Sequence, residues 1–144
     1  MQFARHMMIV AAATAVTLAT SQVAPARTTL YDQLGQEPGI TNVIDNFIGI
    51  VAADSRINHF FANANIARLK TLLVLQVGMA SGGPQKYTGR DMKSTHEGMK
   101  IREADFNALA EDLYMAMDRP HVPFRAQQKL MGVLAAAEPQ IVSQ

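Results

Sequence analysis

The sequence predicts an all-α domain. In "ITNVIDNFIGIVAAD", Ile40, Val43, Ile44, Phe47, Ile48 and Val51 recur at helical spacing and give one strongly apolar face. A second run, "IARLKTLLVLQVGMAS", is long and rich in leucine, alanine, lysine and methionine, which are good helix formers. No stretch shows the alternation of apolar and polar residues that a half-buried strand requires.

The elements follow in order. Residues 1–26 differ from the rest: Arg5 and His6 make a short basic start, Met7 to Ala19 an apolar run, and Ala24-Pro25-Ala26 a small-residue cleavage pattern. This is the layout of a secretory signal peptide, and the run is short and threonine-containing for a membrane anchor. Cleavage, export to the periplasm and no stable membrane insertion are therefore expected, with residues 27–144 forming one domain. Thr29 is a suitable N-cap for a short helix, "LYDQLGQ", ending near Gly35, and Pro38-Gly39 introduces the next, which ends near Asp54. A short segment from Ser55 leads to "NHFFANAN". The leucine-rich helix then presents Leu69, Leu72, Leu73, Gln76, Val77 and Ala80 on one broad side until Gly82-Gly83-Pro84 stops it. Further helices are predicted from Asp91 to about Gly98, through "IREADFNALAEDLYMAMDR" to near Arg119-Pro120, and from about Pro123 to Val142 with Leu130, Val133, Leu134 and Ala137 on one side.

Composition narrows the function. Removing 26 of the 144 residues leaves 118, enough for one core, and takes away one of the 13 basic residues, so 12 basic side chains face 12 acidic ones. A net charge of zero argues against binding nucleic acid or an anionic membrane. There is no cysteine, so no disulfide holds an exported domain, and packing must do so, alone or with something bound.

One histidine invites explanation. His96 ends "GGPQKYTGRDMKSTH", with apolar Met92 one turn before it. A zinc site would need three or four ligands, and His59 and His121 lack ligand-spaced partners. No G-x-S-x-G nucleophile motif is present. Haem iron, in contrast, needs one protein histidine, because the porphyrin supplies four equatorial ligands. It also calls for an apolar helix opposite the histidine, which Leu69 to Val77 would provide, and cations or hydroxyls at the rim, for which Arg68, Lys70 and Tyr87 are candidates. A helical interaction module without haem, in which His96 is merely buried, is the competing class.

Across Leu30 to Val142 the chain resembles the truncated haemoglobins, specifically group I. The resemblance rests on "LYDQLGQEPGI", the pair Phe60-Phe61, "ARLK" entering the leucine-rich helix, "GGPQKYTGRDMKSTH", and Ile101 to Phe106. It implies a two-over-two helical sandwich holding haem b, with His96 as the proximal iron ligand. Phe61 would pack on the haem face with Phe60 beside it; Arg68 and Tyr87 would lie near the propionates. Met92, Ile101, Phe106 and Leu109 would line the proximal side and haem edge, and Phe47, Leu69, Leu73 and Val77 would complete the haem contacts.

The chain departs from that family on the gas side. Group I members usually carry tyrosine where this sequence has Ile48 in "NFIGIV", and positions that often hold glutamine or another polar group are Leu69 and Leu73, with Leu72 between them. Dioxygen at a haem carries partial negative charge and is retained by a hydrogen-bond donor, worth about 1–3 kcal/mol in a buried pocket. The expectation is weak or fast-exchanging dioxygen binding and relatively better binding of carbon monoxide or nitric oxide. Nitric oxide dioxygenation, suggested by the family and requiring a reductase, is weakened by the same residues; haem-based electron transfer or sensing is a further alternative, and for electron transfer or peroxidase-like chemistry a second axial ligand or distal acid–base group is expected and none is evident. A monomer is expected.

Overall fold

The computed structural model of the chain describes residues 26–142; the expected leader falls outside them except for its last residue. Six α-helices follow one another: α1 (Leu30–Gln33), α2 (Gln36–Ala53), α3 (Ile66–Ala80), α4 (Met92–His96), α5 (Glu103–Asp118) and α6 (Phe124–Ile141), with a short 3-10 turn at Asn58–Phe61 before α3. No strand occurs among the described residues, and no helix there is long and apolar enough to cross a membrane. α2 packs most extensively on α5 and α3, and α6 on α4 and α5. The four long helices thus form a two-over-two arrangement, α2 paired with α3 and α5 with α6, the pairs meeting where α2 packs on α5.

The expected starts and stops have physical causes. Thr29 accepts from the Asp32 amide while the Asp32 carboxylate accepts from the Thr29 amide, a reciprocal cap. Asn65 caps α3 through the Arg68 amide, and Asp91 caps α4 through the Ser94 amide. α2 starts at Gln36, earlier than its apolar pattern suggested, because Pro38 sits in the first turn, where a missing N–H costs nothing. α4 is shorter than expected, ending at His96 itself. α6 continues through Pro139.

The core lies around α2. Ile40, Val43, Ile44, Phe47, Ile50 and Val51 are buried, packed with Ala108, Leu113, Ala116, Met117, Ala126 and Leu130. Ile50 takes a buried place where the sequence pattern puts Ile48, which is half-buried at the edge of this cluster. On α3 only Gly78 is buried; Leu69, Leu72, Leu73 and Val77 keep apolar surface that no other described residue covers.

The loop from α3 to α4 is pinned by Gln85. Its Nε2 donates to the Tyr31 hydroxyl (2.9 Å) and to the Glu37 carboxylate (3.1 Å). The glycine pair makes this possible: Gly82 takes φ +92°, and a Cβ on Gly83 would lie 2.4 Å from Gln85 Oε1 and 2.5 Å from the Tyr31 ring.

Two outcomes follow. A Cβ at Gly39 would lie 2.0 Å from the Leu34 carbonyl oxygen, so Gly39→Ala must push α1 from α2; a loss of about 1–3 kcal/mol in urea denaturation is expected, the usual cost of overpacking. At the start of α5, Asp105 accepts from the Arg102 amide (3.0 Å), Nε (3.0 Å) and Nη2 (2.8 Å), which holds its carboxyl at about 2, below the ordinary 3.8. Its contribution is complete above about pH 4 and lost as pH falls toward 2. Asp105→Asn should therefore melt at lower temperature than the parent at pH 7, with the gap closing between pH 4 and pH 2; a gap that stays constant in circular dichroism melts would contradict this assignment.

Candidate functional site

His96 is held by its own helix turn. Its Nδ1 lies 2.7 Å from the Met92 carbonyl oxygen, an atom that can only accept, so Nδ1 carries the proton and donates. The lone pair is then left on Nε2, the state in which a neutral imidazole binds a metal. The Asp91 cap and the hydrogen bond from Arg90 Nη2 to the Ser94 carbonyl (2.6 Å) fix the short helix that makes this turn.

His96 also borders a cavity of about 100 Å³, whose walls include Phe60, Phe61, Ile101, Phe106 and Leu109. These five were expected at the site from the sequence, and the fold brings them together from the 3-10 turn and from the start of α5. Four more lining residues were not: Ile57, Met99, Asp105 and Ile141. Ile57 and Met99 stand singly in polar stretches, and Ile141 reaches the site only because the end of α6 lies against α4, which no local pattern announces. On its other side His96 faces an open groove of about 450 Å³ toward Lys93, Glu97 and the last turn of α6.

The remaining expected residues lie elsewhere around this centre. Phe47 sits in the core cluster, with Leu73 and Val77 packed against it. Leu69, Leu72 and Leu73 are half-buried on α3, and Ile48 half-buried on α2, so hydrocarbon is what those positions offer. Gln76 is the polar residue on that side of α3, and its Nε2 donates to Met92 Sδ (3.3 Å), tying α3 to α4. His59 is exposed and lies tilted against Phe60, ring centroids 4.1 Å apart. Of the three rim candidates, Lys70 pairs with Asp45, and the Tyr87 hydroxyl donates to the Arg90 carbonyl (2.8 Å). Arg68 is exposed and makes no ion pair among the described residues.

Among the described residues no group of three or more histidine, aspartate or glutamate side chains is arranged to hold a metal ion. The site is thus one histidine of fixed tautomer beside an apolar wall, a donor set suited to a metal whose other ligands come from a planar cofactor.

The chain is similar to proteins of known family and structure. The family model of the bacterial-like globins matches residues 29–143. The group 1 truncated hemoglobin of Mycolicibacterium paratuberculosis is 33% identical over 114 residues, covering 79% of this chain and 84% of that protein. The group 1 truncated hemoglobin of a Nostoc species is 37% identical over 89 residues, covering 62% and 75%. Among solved structures, the Fe(III) form of the truncated hemoglobin from Tetrahymena pyriformis superposes with a TM-score of 0.77 at 26% identity, over 81% of this chain and 99% of that one. Structures of the same Tetrahymena protein exist with substitutions at a tyrosine and at two glutamines, the glutamines lying 21 and 25 residues beyond the tyrosine. This chain belongs to the bacterial-like globins, and within them to the group 1 truncated haemoglobins, a family of haem proteins that bind diatomic gases.

Proposed function

We propose that the chain binds haem b through His96 Nε2 and takes up carbon monoxide or nitric oxide in preference to dioxygen, in a pocket walled by hydrocarbon. The observation that carries this reading is the 2.7 Å contact between His96 Nδ1 and the Met92 carbonyl, made at the edge of an apolar cavity. Haem, when bound, supplies an iron centre that accepts a diatomic gas. The chain's own residues do the rest. Met92 holds the imidazole proton on the far nitrogen. Phe60, Phe61, Ile101, Phe106 and Leu109 exclude water and offer flat apolar contact. Covering the half-exposed leucines of α3 with an apolar ligand is favourable by about 25 cal/mol per Å² of surface removed from water. Arg68, charged and exposed at the start of α3, is the cation we assign to a carboxylate at the rim.

The gas preference rests on Ile48, Leu69 and Leu73. Counted from Ile48, spacings of 21 and 25 residues arrive at Leu69 and Leu73, the same spacings that separate the tyrosine and two glutamines of the Tetrahymena protein. Three polar side chains there correspond, in this reading, to three hydrocarbon ones here. None of these can donate a hydrogen bond, and Gln76, the nearest amide along α3, is engaged with Met92. Binding rather than turnover is the role we assign, since nitric oxide dioxygenation would require retained dioxygen and a separate reductase. Reading residues 1–26 as a cleaved leader, we place the protein in the periplasm as a monomer.

Stopped-flow measurement of dioxygen dissociation tests the gas side. The parent protein should release dioxygen fast, and Leu73→Gln should slow release by about ten- to a hundredfold, the equivalent of one buried hydrogen bond of about 1–3 kcal/mol. A parent off-rate as slow as in relatives with tyrosine, unchanged in the variant, would show that some other donor reaches the gas.

A further inference from the structure

At the end of α2, four charged side chains meet away from His96. Arg56 Nε and Nη2 donate to the two oxygens of Asp54 (3.0 and 2.8 Å), and Nη1 donates to Glu111 Oε2 (2.8 Å). Asp112, on α5, is 1% exposed, and both of its carboxyl oxygens lack a hydrogen-bond donor. The nearest cationic nitrogen, Arg56 Nη2, is 4.0 Å away, beyond hydrogen-bond reach and already committed to Asp54. A buried carboxylate with no donor and a second carboxylate beside it is a costly arrangement. One proton removes the cost, because a carboxyl group can donate to a neighbouring carboxylate. We propose that Asp112 and Asp54 hold one proton between them, and that its loss as pH rises loosens the corner from Asp54 to Phe61.

That corner is part of the cavity wall. The Asp54 carbonyl accepts from the Ile57 amide (3.1 Å) and the Asn58 amide (2.8 Å), which launches the 3-10 turn, and Asp54 Oδ1 accepts from the Arg56 amide (2.9 Å). Ile57, Phe60 and Phe61 follow, and all three border the cavity. The proton therefore acts on the wall through the backbone of the corner, not through His96. The charged groups around Asp112 are Asp54 from the end of α2, Arg56 from the corner and Glu111 from its own helix. Burial, reinforced by the Asp54 charge, raises the Asp112 carboxyl to about 6 from its ordinary 3.8. The sign follows: the contribution to stability is fully present below pH 3.8 and is lost as pH rises through about 6.

Urea denaturation of the full chain, followed by far-ultraviolet circular dichroism between pH 5 and pH 8, tests this with Asp112→Asn as the comparison. Asparagine keeps the shape and can still donate to Asp54 but cannot titrate. The parent's folding constant should fall roughly tenfold between those pH values relative to the variant's. Parallel pH profiles for the two proteins would overturn the proposal. A ¹³C titration of the Asp112 carboxyl in the parent protein decides independently, should the variant not fold: a midpoint near 6 supports the shared proton, and one near 4 overturns it. Neither readout needs haem or a gas, so failure here leaves the gas-binding reading standing, and the reverse also holds.

Discussion

An imidazole can bind a metal through one nitrogen only when its proton sits on the other, and in this chain that choice is made by the Met92 carbonyl, 2.7 Å from His96 Nδ1. Much of the fold can be understood as what keeps this contact in place. The Asp91 cap starts α4 so that Met92 and His96 stand one turn apart. Gln76 holds Met92 from α3, and the loop that delivers α4 is fastened to α1 and α2 through Gln85. α6 closes over α4 and brings Ile141 to the cavity wall. A helix of five residues would not persist alone in water, so the histidine's orientation is a product of tertiary packing.

The second constraint is the apolar character of α3. A helix that is largely hydrocarbon yet leaves Leu69, Leu72, Leu73 and Val77 half-exposed gains by covering that surface, and a flat apolar cofactor does so without another helix. The same side chains that favour such a cofactor deny a bound gas its hydrogen-bond donor. In the proposed function, affinity for the cofactor and selectivity among gases therefore rest on one set of residues. The charges near the site are paired or solvated: Lys70 is neutralised by Asp45, Asp105 in the cavity wall by Arg102, and Arg68 stays in water.

How much of this could be read from the sequence depended on whether the signal was local. Helical spacing located α2, α3, α5 and α6, and the Thr29 cap was readable because capping is settled within three residues; Asn65 and Asp91 cap α3 and α4 in the same way. The site was legible where residue type was unusual, as at His96 and the Phe60-Phe61 pair, and where a family resemblance supplied order and spacing. Ile57, Met99 and Ile141 escaped because their role comes from contacts between distant segments. Asp112 escaped for a similar reason: an aspartate in "LAEDLYM" reads as a solvated helix position, and only the crossing of α5 over the end of α2 buries it beside Asp54. Tyr87 carries a contact that residue type does not announce: its hydroxyl donates to the Arg90 carbonyl of its own loop.

The proposed role of His96 as the single protein ligand of haem is tested most directly by optical spectra of the purified full chain in its ferric, ferrous and carbon monoxide forms. A red protein with a Soret band that shifts on adding carbon monoxide, lost in His96→Gly and restored by external imidazole, is the predicted result. A folded, colourless protein that takes up no added hemin, or a spectrum indifferent to His96→Gly, would contradict it.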